Sequence, residues 1–210
     1  MNFQQQNEEL IERLILLGAL KTPKIIRAFK KIPRHLFIPK EYLSHAYADY
    51  PIPTMHGQTI SQPYTVSIMI EALQPKKGNN ILDVGTGSGW TACLLAYIVG
   101  KEGKVVTIDI YQDLIDFAKE NIKKTKLKNI KIIRGDGKLG YAKNAPYDHV
   151  LINAACDEIP QPIINQTKTH GRIVAPVNTF LGQRMIVAEK VSKDKLKKKD
   201  LGAFVFVPLR

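Results

Sequence analysis

Three glycines at alternate positions punctuate the run Asp83-Val84-Gly85-Thr86-Gly87-Ser88-Gly89, which follows a short apolar stretch and precedes a helical pattern opening at Trp90. Glycine lets the backbone turn tightly and lets a ligand lie against it, while the helix N-terminus behind the turn offers free N–H groups. The spacing departs from the dinucleotide pattern G-x-G-x-x-G, whose third glycine would stand where this chain has Trp90. Asp109 closes a second apolar stretch, the position at which such folds use an acid to accept hydrogen bonds from both ribose hydroxyls. Asp136, in Arg134-Gly135-Asp136-Gly137, follows a third stretch and could meet an adenine amino group, although Gly-Asp-Gly is also a common turn. Other chemistries lack their signatures. His35, His45, His56, His149 and His170 have no metal-ligand spacing, and no metal site is expected. His56 reads as a loop or packing histidine with no nucleophile paired to it. Cys93 and Cys156 belong to no CxxC or Cys/His cluster and read as small buried hydrophobes.

Positioning these residues requires an alternation of strands and helices. Short β-branched runs at 81–84, 104–110, 130–134, 148–153, 171–177, 184–191 and 203–209 are seven strand candidates, with helices expected at 90–99, 112–125 and 159–167. Near-continuous apolar strands of this kind mean a mostly parallel sheet covered on both faces, an open doubly wound α/β fold. The last two candidates are separated only by a lysine-rich stretch, too short for a crossover helix, so they should pair antiparallel at one edge. Ahead of the sheet, Leu10, Leu14 and Leu17 share one face of a helix over 8–17 that stops at Gly18. Thr22-Pro23 reads as an N-cap and N1 pair opening a second short helix with Ile25, Ile26 and Phe29. Between Pro33 and Pro63, five prolines forbid long regular structure, yet Phe37, Ile38, Tyr42, Tyr47, Tyr50 and Ile52 are too apolar for a disordered linker. An ordered and functional loop region is expected there, followed by a helix over 63–73.

The 210 residues, 44% hydrophobic, suit one compact unit: an N-terminal cap over residues 1–78 and a main domain over 79–210. No stretch approaches the ~20 consecutive apolar residues of a membrane span, and the opening MNFQQQNEEL has no leader-like pattern, so a cytoplasmic, membrane-free protein is expected. The net charge of +12 raises nucleic acid as a partner, but the excess is spread along the chain. The densest run, Lys193 to Lys199, reads as a solvated hairpin loop without interleaved aromatics to stack bases.

Acid-x-G-x-G-x-G after a first strand resembles the S-adenosylmethionine-dependent methyltransferases. Further segments are similar to one family within that group: Pro33-Arg34-His35-Leu36-Phe37-Ile38-Pro39, Ala46-Tyr47-Ala48-Asp49-Tyr50-Pro51-Ile52-Pro53, Gly57-Gln58-Thr59-Ile60-Ser61-Gln62-Pro63, Gly135-Asp136-Gly137, Ala145-Pro146-Tyr147-Asp148 and Phe206-Val207-Pro208-Leu209. On these residues, from about residue 10 to the C-terminus, the chain resembles the protein-L-isoaspartate (D-aspartate) O-methyltransferases. The resemblance implies a Rossmann-like methyltransferase fold and methyl transfer from S-adenosyl-L-methionine to the α-carboxylate of isoaspartyl residues in damaged proteins. It also implies Ser61 as the active-site residue. Around the cofactor it places Gln58, Thr59, Ile60, Ser61, Asp83, Gly85, Thr86, Gly87, Ser88, Gly89, Asp109, Ile110, Asp136 and Gly137. The sequence departs from the family where Asn153-Ala154-Ala155 replaces the commoner Thr-Ala-Ala, Asp83 and Asp109 replace Glu, and Lys138 replaces a frequent Trp.

An isoaspartyl α-carboxylate, with a pKa near ~3.5, is ionised at neutral pH and needs no general base. Ser61 could orient it by donating a hydrogen bond, or could act as an N-cap for the helix beginning near Pro63. An RNA methyltransferase or a non-catalytic cofactor-binding protein on the same fold are the rival readings. The Asn-Pro-Pro-aromatic motif of amino-group methyltransferases is absent, since Ala154, Ala155 and Cys156 follow Asn153. The partners expected are isoaspartyl proteins or peptides, with no nucleic acid, and a monomer is expected.

Overall fold

The computed structural model describes residues 2–193 and 195–210. Two amphipathic helices, α1 (Phe3–Leu16) and α2 (Pro23–Lys31), open the chain, the first stopping before Gly18 at φ +67°. Asn2 caps α1 by accepting from the Gln5 N–H at 3.1 Å. Thr22 precedes α2 but makes no side-chain cap; its hydroxyl instead donates to Glu71 Oε2 at 2.7 Å, tying α2 to a later helix. The proline-rich stretch is ordered as 3₁₀ turns and a two-stranded ribbon, β1 (Ile52–Pro53) against β2 (Thr59–Ile60), before α3 (Pro63–Leu73).

From residue 80 the strands and helices alternate as β3 (Asn80–Val84), α4 (Trp90–Val99), β4 (Lys104–Asp109), α5 (Gln112–Thr125) and β5 (Ile130–Arg134). There follow β6 (Tyr147–Ile152), α6 (Gln161–Gln166), β7 (Thr167–Thr179), β8 (Gly182–Ser192) and β9 (Lys195–Ala203). The seven-stranded sheet runs β5-β4-β3-β6-β7-β8-β9, parallel through β7 and antiparallel for β8 and β9. One apolar cluster joins Leu10, Leu14, Phe29 and Phe37 of the cap to Leu94 and Leu95 of α4 and Ala118 of α5. A second, with Ile163 of α6 and Tyr147, covers the other face. The doubly wound reading and the antiparallel edge pair hold.

The identity of the edge strand does not. Of the Lys193–Lys199 run expected as a solvated hairpin loop, residue 194 lies outside the described residues and Lys195 to Lys199 open β9, which pairs with β8, whereas the apolar run 203–209 forms no sheet strand beyond Ala203. Lysines suit an edge because they keep a row of unpaired backbone groups from recruiting another chain. The apolar run serves as a tail. Phe204 and Phe206 pack on the core, Phe206 N–H donates to Gln183 Oε1 at 2.6 Å, and Leu209 N–H donates to Ala155 O at 2.7 Å. No helix among the described residues is long and apolar enough to cross a membrane.

Candidate active site

The chain leaves β3 for β4 and β5 on one side, then returns to place β6 on the other side of β3. Ligands bind outside the carboxyl ends of strands at such a reversal. Three clefts open there. A narrow one of about 50 Å³ runs between Gln58, Asp109, Ile110, Tyr111, Gly137 and Leu209. A second, of about 60 Å³, lies between Gln58–Ser61 and the loop Gly85–Ser88, walled by Trp90 and Asn153. A third, of about 760 Å³, is bounded by Thr59, Ser61, Gln62, Tyr64, Asn153 and the tail from Leu201 to Val207.

The glycine loop is held from beneath. Gly85, Gly87 and Gly89 sit at φ +89°, +50° and +85°, a region that strains other residues, and a Cβ on Gly87 would meet nothing within 4 Å, so its open side is free for a ligand. The N–H groups of Gly85 and Thr86 donate to Ile108 O at 2.9 and 3.0 Å. The carboxylate of Asp109, 9% exposed, accepts from Gly87 N–H at 2.9 Å and Tyr111 N–H at 3.1 Å. A carboxylate offers about four acceptor positions. Two lone pairs are therefore left for a diol.

Asp83 does not reach a cleft. Fully buried, it accepts from Thr107 Oγ1 at 2.7 Å and from Asn153 Nδ2 at 2.8 Å, and burial pushes its carboxyl up to about 7. Thr107 spends its proton on Asp83, so Thr86, 2.8 Å away, must donate to Thr107, which extends the chain into the glycine loop. Asp83 thus supports the glycine loop from beneath without lining a cleft. Asp136 also stays out: its carboxylate accepts from Lys138 N–H at 2.8 Å and caps a short turn. Its neighbour Gly137 does line the first cleft, and a Cβ there would come 2.5 Å from Val84 Cγ1, so packing alone demands the glycine. Gly89 lines no cleft; it caps α4 against Ile122.

The Ser61 hydroxyl has no partner among the described residues, and Gln62, not Ser61, is the N-cap of α3. The capping reading of Ser61 is therefore corrected. Its peptide is fixed from behind by Arg34, whose guanidinium is 1% exposed and donates to five carbonyls, those of Ala46, Ala48, Tyr50, Ile60 and Ser61, at 3.0 to 3.4 Å. Arg34 also lies over the Trp90 ring, 5.5 Å from its centroid. Burial pulls the guanidinium down to about 10, leaving it charged at neutral pH. His56 lines none of the three clefts. It pairs with Asp113 at 2.8 Å and stacks on Tyr111 at 4.3 Å between centroids.

Sequence spacing gives no signal for Arg34, whose partners are main-chain carbonyls, and marks Tyr111 only by its place after Asp109 and Ile110. Pro208 and Leu209 of the tail also line the first cleft. Among the described residues no cluster of His, Cys, Asp and Glu could hold a metal ion.

The chain matches the family model for protein-L-isoaspartate(D-aspartate) O-methyltransferase over residues 5–210. The chain belongs to this family. It is 43% identical over 210 residues to protein-L-isoaspartate O-methyltransferase 2 of Archaeoglobus fulgidus, covering all of this chain and 95% of that one. A relative of the same name from Pyrococcus horikoshii is 41% identical over 200 residues, covering 95% and 90% of the two chains. A solved protein-L-isoaspartate O-methyltransferase superposes with a TM-score of 0.88 at 28% identity; the match covers 96% of this chain and about 65% of that longer one. A Plasmodium falciparum structure described as a putative protein-L-isoaspartate O-methyltransferase in complex with S-adenosyl-L-homocysteine shares the fold, at a TM-score of 0.87 and 23% identity.

Proposed function

We infer that this chain transfers a methyl group from S-adenosyl-L-methionine to the α-carboxylate of L-isoaspartyl residues in proteins and peptides. The observation that carries this reading is the junction of the clefts: Ser61 and Asn153 line both the glycine-loop cleft and the large outer one. A donor in the first and an acceptor in the second would meet there.

The residues present fit the donor. Asp109 has free acceptor positions for a ribose, Ile110, 44% exposed, and Leu209 supply apolar walls for a flat base, and the open side of Gly87 admits a ligand against the backbone. When bound, S-adenosylmethionine supplies a methyl group on a sulfonium cation, whose departure leaves a neutral thioether. The protein's own work is positioning. Arg34 holds the Ser61 peptide, Ser61 donates its hydroxyl proton as a hydrogen bond to one carboxylate oxygen, and the tail and Gln58 line the clefts in which donor and acceptor would lie. Holding reacting atoms about 3 Å apart in a dry site supplies several kcal/mol of rate. The acceptor oxygen is already anionic, so no proton must be removed, in keeping with a His56 committed to Asp113 and Tyr111. The methyl ester that forms loses methoxide far more readily than a carboxylate loses oxide, so the adjoining backbone nitrogen attacks it, expels methanol and closes a succinimide whose hydrolysis partly restores aspartate.

Incubation with methyl-labelled donor should label an isoaspartyl peptide, with neither its aspartyl twin nor bulk RNA labelled comparably. Equal labelling of the twins, or efficient labelling of RNA, would overturn the reading.

A further inference from the structure

Asn153 stands at the end of β6, where the family resemblance leads to a threonine. Its Nδ2 is committed: it donates to Asp83 Oδ1 at 2.8 Å and lies 3.2 Å from Val84 O and 3.4 Å from Gly85 O. Three oxygens on one side dictate which end of the amide faces inward. Oδ1 is therefore the end left over; no donor among the described residues reaches it, and it is not sealed from solvent. Asn153 walls the same two clefts as Ser61. One junction thus carries a donor, the Ser61 hydroxyl, and a fixed acceptor that repels carboxylate oxygen and takes an N–H.

The acceptor chemistry offers such a pair at two different spacings. In an isoaspartyl residue the free carboxylate sits on the carbon that bears the chain N–H. In an aspartyl residue it sits one methylene farther away. We propose that Asn153 Oδ1 accepts the N–H beside the reacting carboxylate while Ser61 holds the carboxylate, so that the two side chains together select the isoaspartyl spacing. The proposal rests on the methyl-transfer reading above and makes Asn153 a specificity-determining residue.

The test compares the wild type with Asn153→Ala and Asn153→Thr on three peptides: isoaspartyl, aspartyl, and an isoaspartyl ester analogue with oxygen in place of that N–H. Threonine keeps a polar hydroxyl at this position but ends one atom short of both Nδ2 and Oδ1, so it reports on the lost acceptor with a side chain closer in size should alanine unsettle the loop. Replacing the N–H should lower kcat/KM of the wild type about tenfold, the scale of one hydrogen bond lost from a desolvated site, and should cost neither variant more than twofold. Both variants should narrow the preference for isoaspartyl over aspartyl peptide and bind S-adenosylhomocysteine within twofold of wild type in calorimetry. An ester penalty that is equal in all three proteins would overturn the proposal, as would a loss of S-adenosylhomocysteine affinity matching the loss of kcat/KM, which would put Asn153 on the donor. A wild type that labels none of the peptides would instead sink the methyl-transfer reading itself, and the proposal with it.

Discussion

Replacing Arg34 should damage this protein more than any other single change outside the clefts. Its guanidinium, 1% exposed and without a carboxylate in contact, bonds five main-chain carbonyls drawn from residues 46–50 and from Ile60 and Ser61. Hydrogen bonds to a charged group are worth about 1.5–3 kcal/mol each, so a simple sum over the five, about 8–15 kcal/mol, would rival the whole stability of a typical domain. Arg34→Met, however, also abolishes the cost of burying the ion, several kcal/mol, and the carbonyls can relax toward one another or water. The net loss should be about 3–5 kcal/mol, the range seen when a buried charge network loses one member. Lysine brings three donors on a point charge in place of the planar fork, so Arg34→Lys should recover part of the stability but leave some carbonyls unpaired. At roughly 2–4 °C per kcal/mol for a chain of this size, thermal melts should fall by about 6–20 °C for methionine and by less for lysine. Because two of the carbonyls flank the Ser61 hydroxyl, turnover per folded molecule should also drop in both variants. A methionine variant within about 1 kcal/mol of wild type, with unchanged turnover, would refute the claim that this guanidinium fixes the Ser61 loop.

Asp109→Ala removes the acceptor of Gly87 N–H and Tyr111 N–H as well as the ribose partner, so calorimetric affinity for S-adenosylhomocysteine should fall by about 1.5–3 kcal/mol or more; wild-type affinity would take Asp109 out of the site. Ser61→Ala should lower turnover while leaving the melting temperature nearly unchanged, since the hydroxyl has no structural partner; a stability loss of about 1 kcal/mol with intact turnover would restore the capping role. His149, whose Nδ1 accepts from Arg172 N–H at 3.1 Å, is held by burial down to about 4. Between its unfolded value near 6.5 and about 4 the unfolded chain binds the extra proton, so stability should decline by roughly 2–3 kcal/mol as pH falls through that window and be unaffected by His149 above it. Denaturant titrations of His149→Asn, which keeps an acceptor, should show a flatter pH dependence; an unchanged slope would assign it to other groups.

The elements around the glycine loop were legible because local signals and tertiary packing agree there. Helices α4 and α5 begin and end where periodicity places them, and Asp109 and Gly87 face a cleft as their spacing implies. The edge strand was illegible because its lysines carry no apolar alternation; β9 forms by pairing with β8. The tail misled in the opposite sense: Phe204 and Phe206 are apolar because they pack on the core, and the tail's backbone makes only scattered bonds, to Gln183 and Ala155, in place of a continuous ladder. Asp83 shows the limit of motif transfer. Its position in the motif is that of a ligand contact, yet burial turns its carboxylate inward to Thr107 and Asn153. Arg34 lies beyond sequence reading for a similar reason, since its partners are backbone carbonyls, which any residue supplies.

The position of the methyl group on the product tests the account most directly. An isoaspartyl peptide treated with the enzyme and S-adenosylmethionine, quenched in acid before the ester can cyclise, should show by tandem mass spectrometry one methyl ester on the isoaspartyl α-carboxyl. The same product, returned to neutral pH without enzyme, should lose methanol and give succinimide, then a mixture of aspartyl and isoaspartyl peptide. A methyl group on an amine, on a side-chain carboxylate elsewhere in the peptide, or on no peptide atom at all would contradict the mechanism.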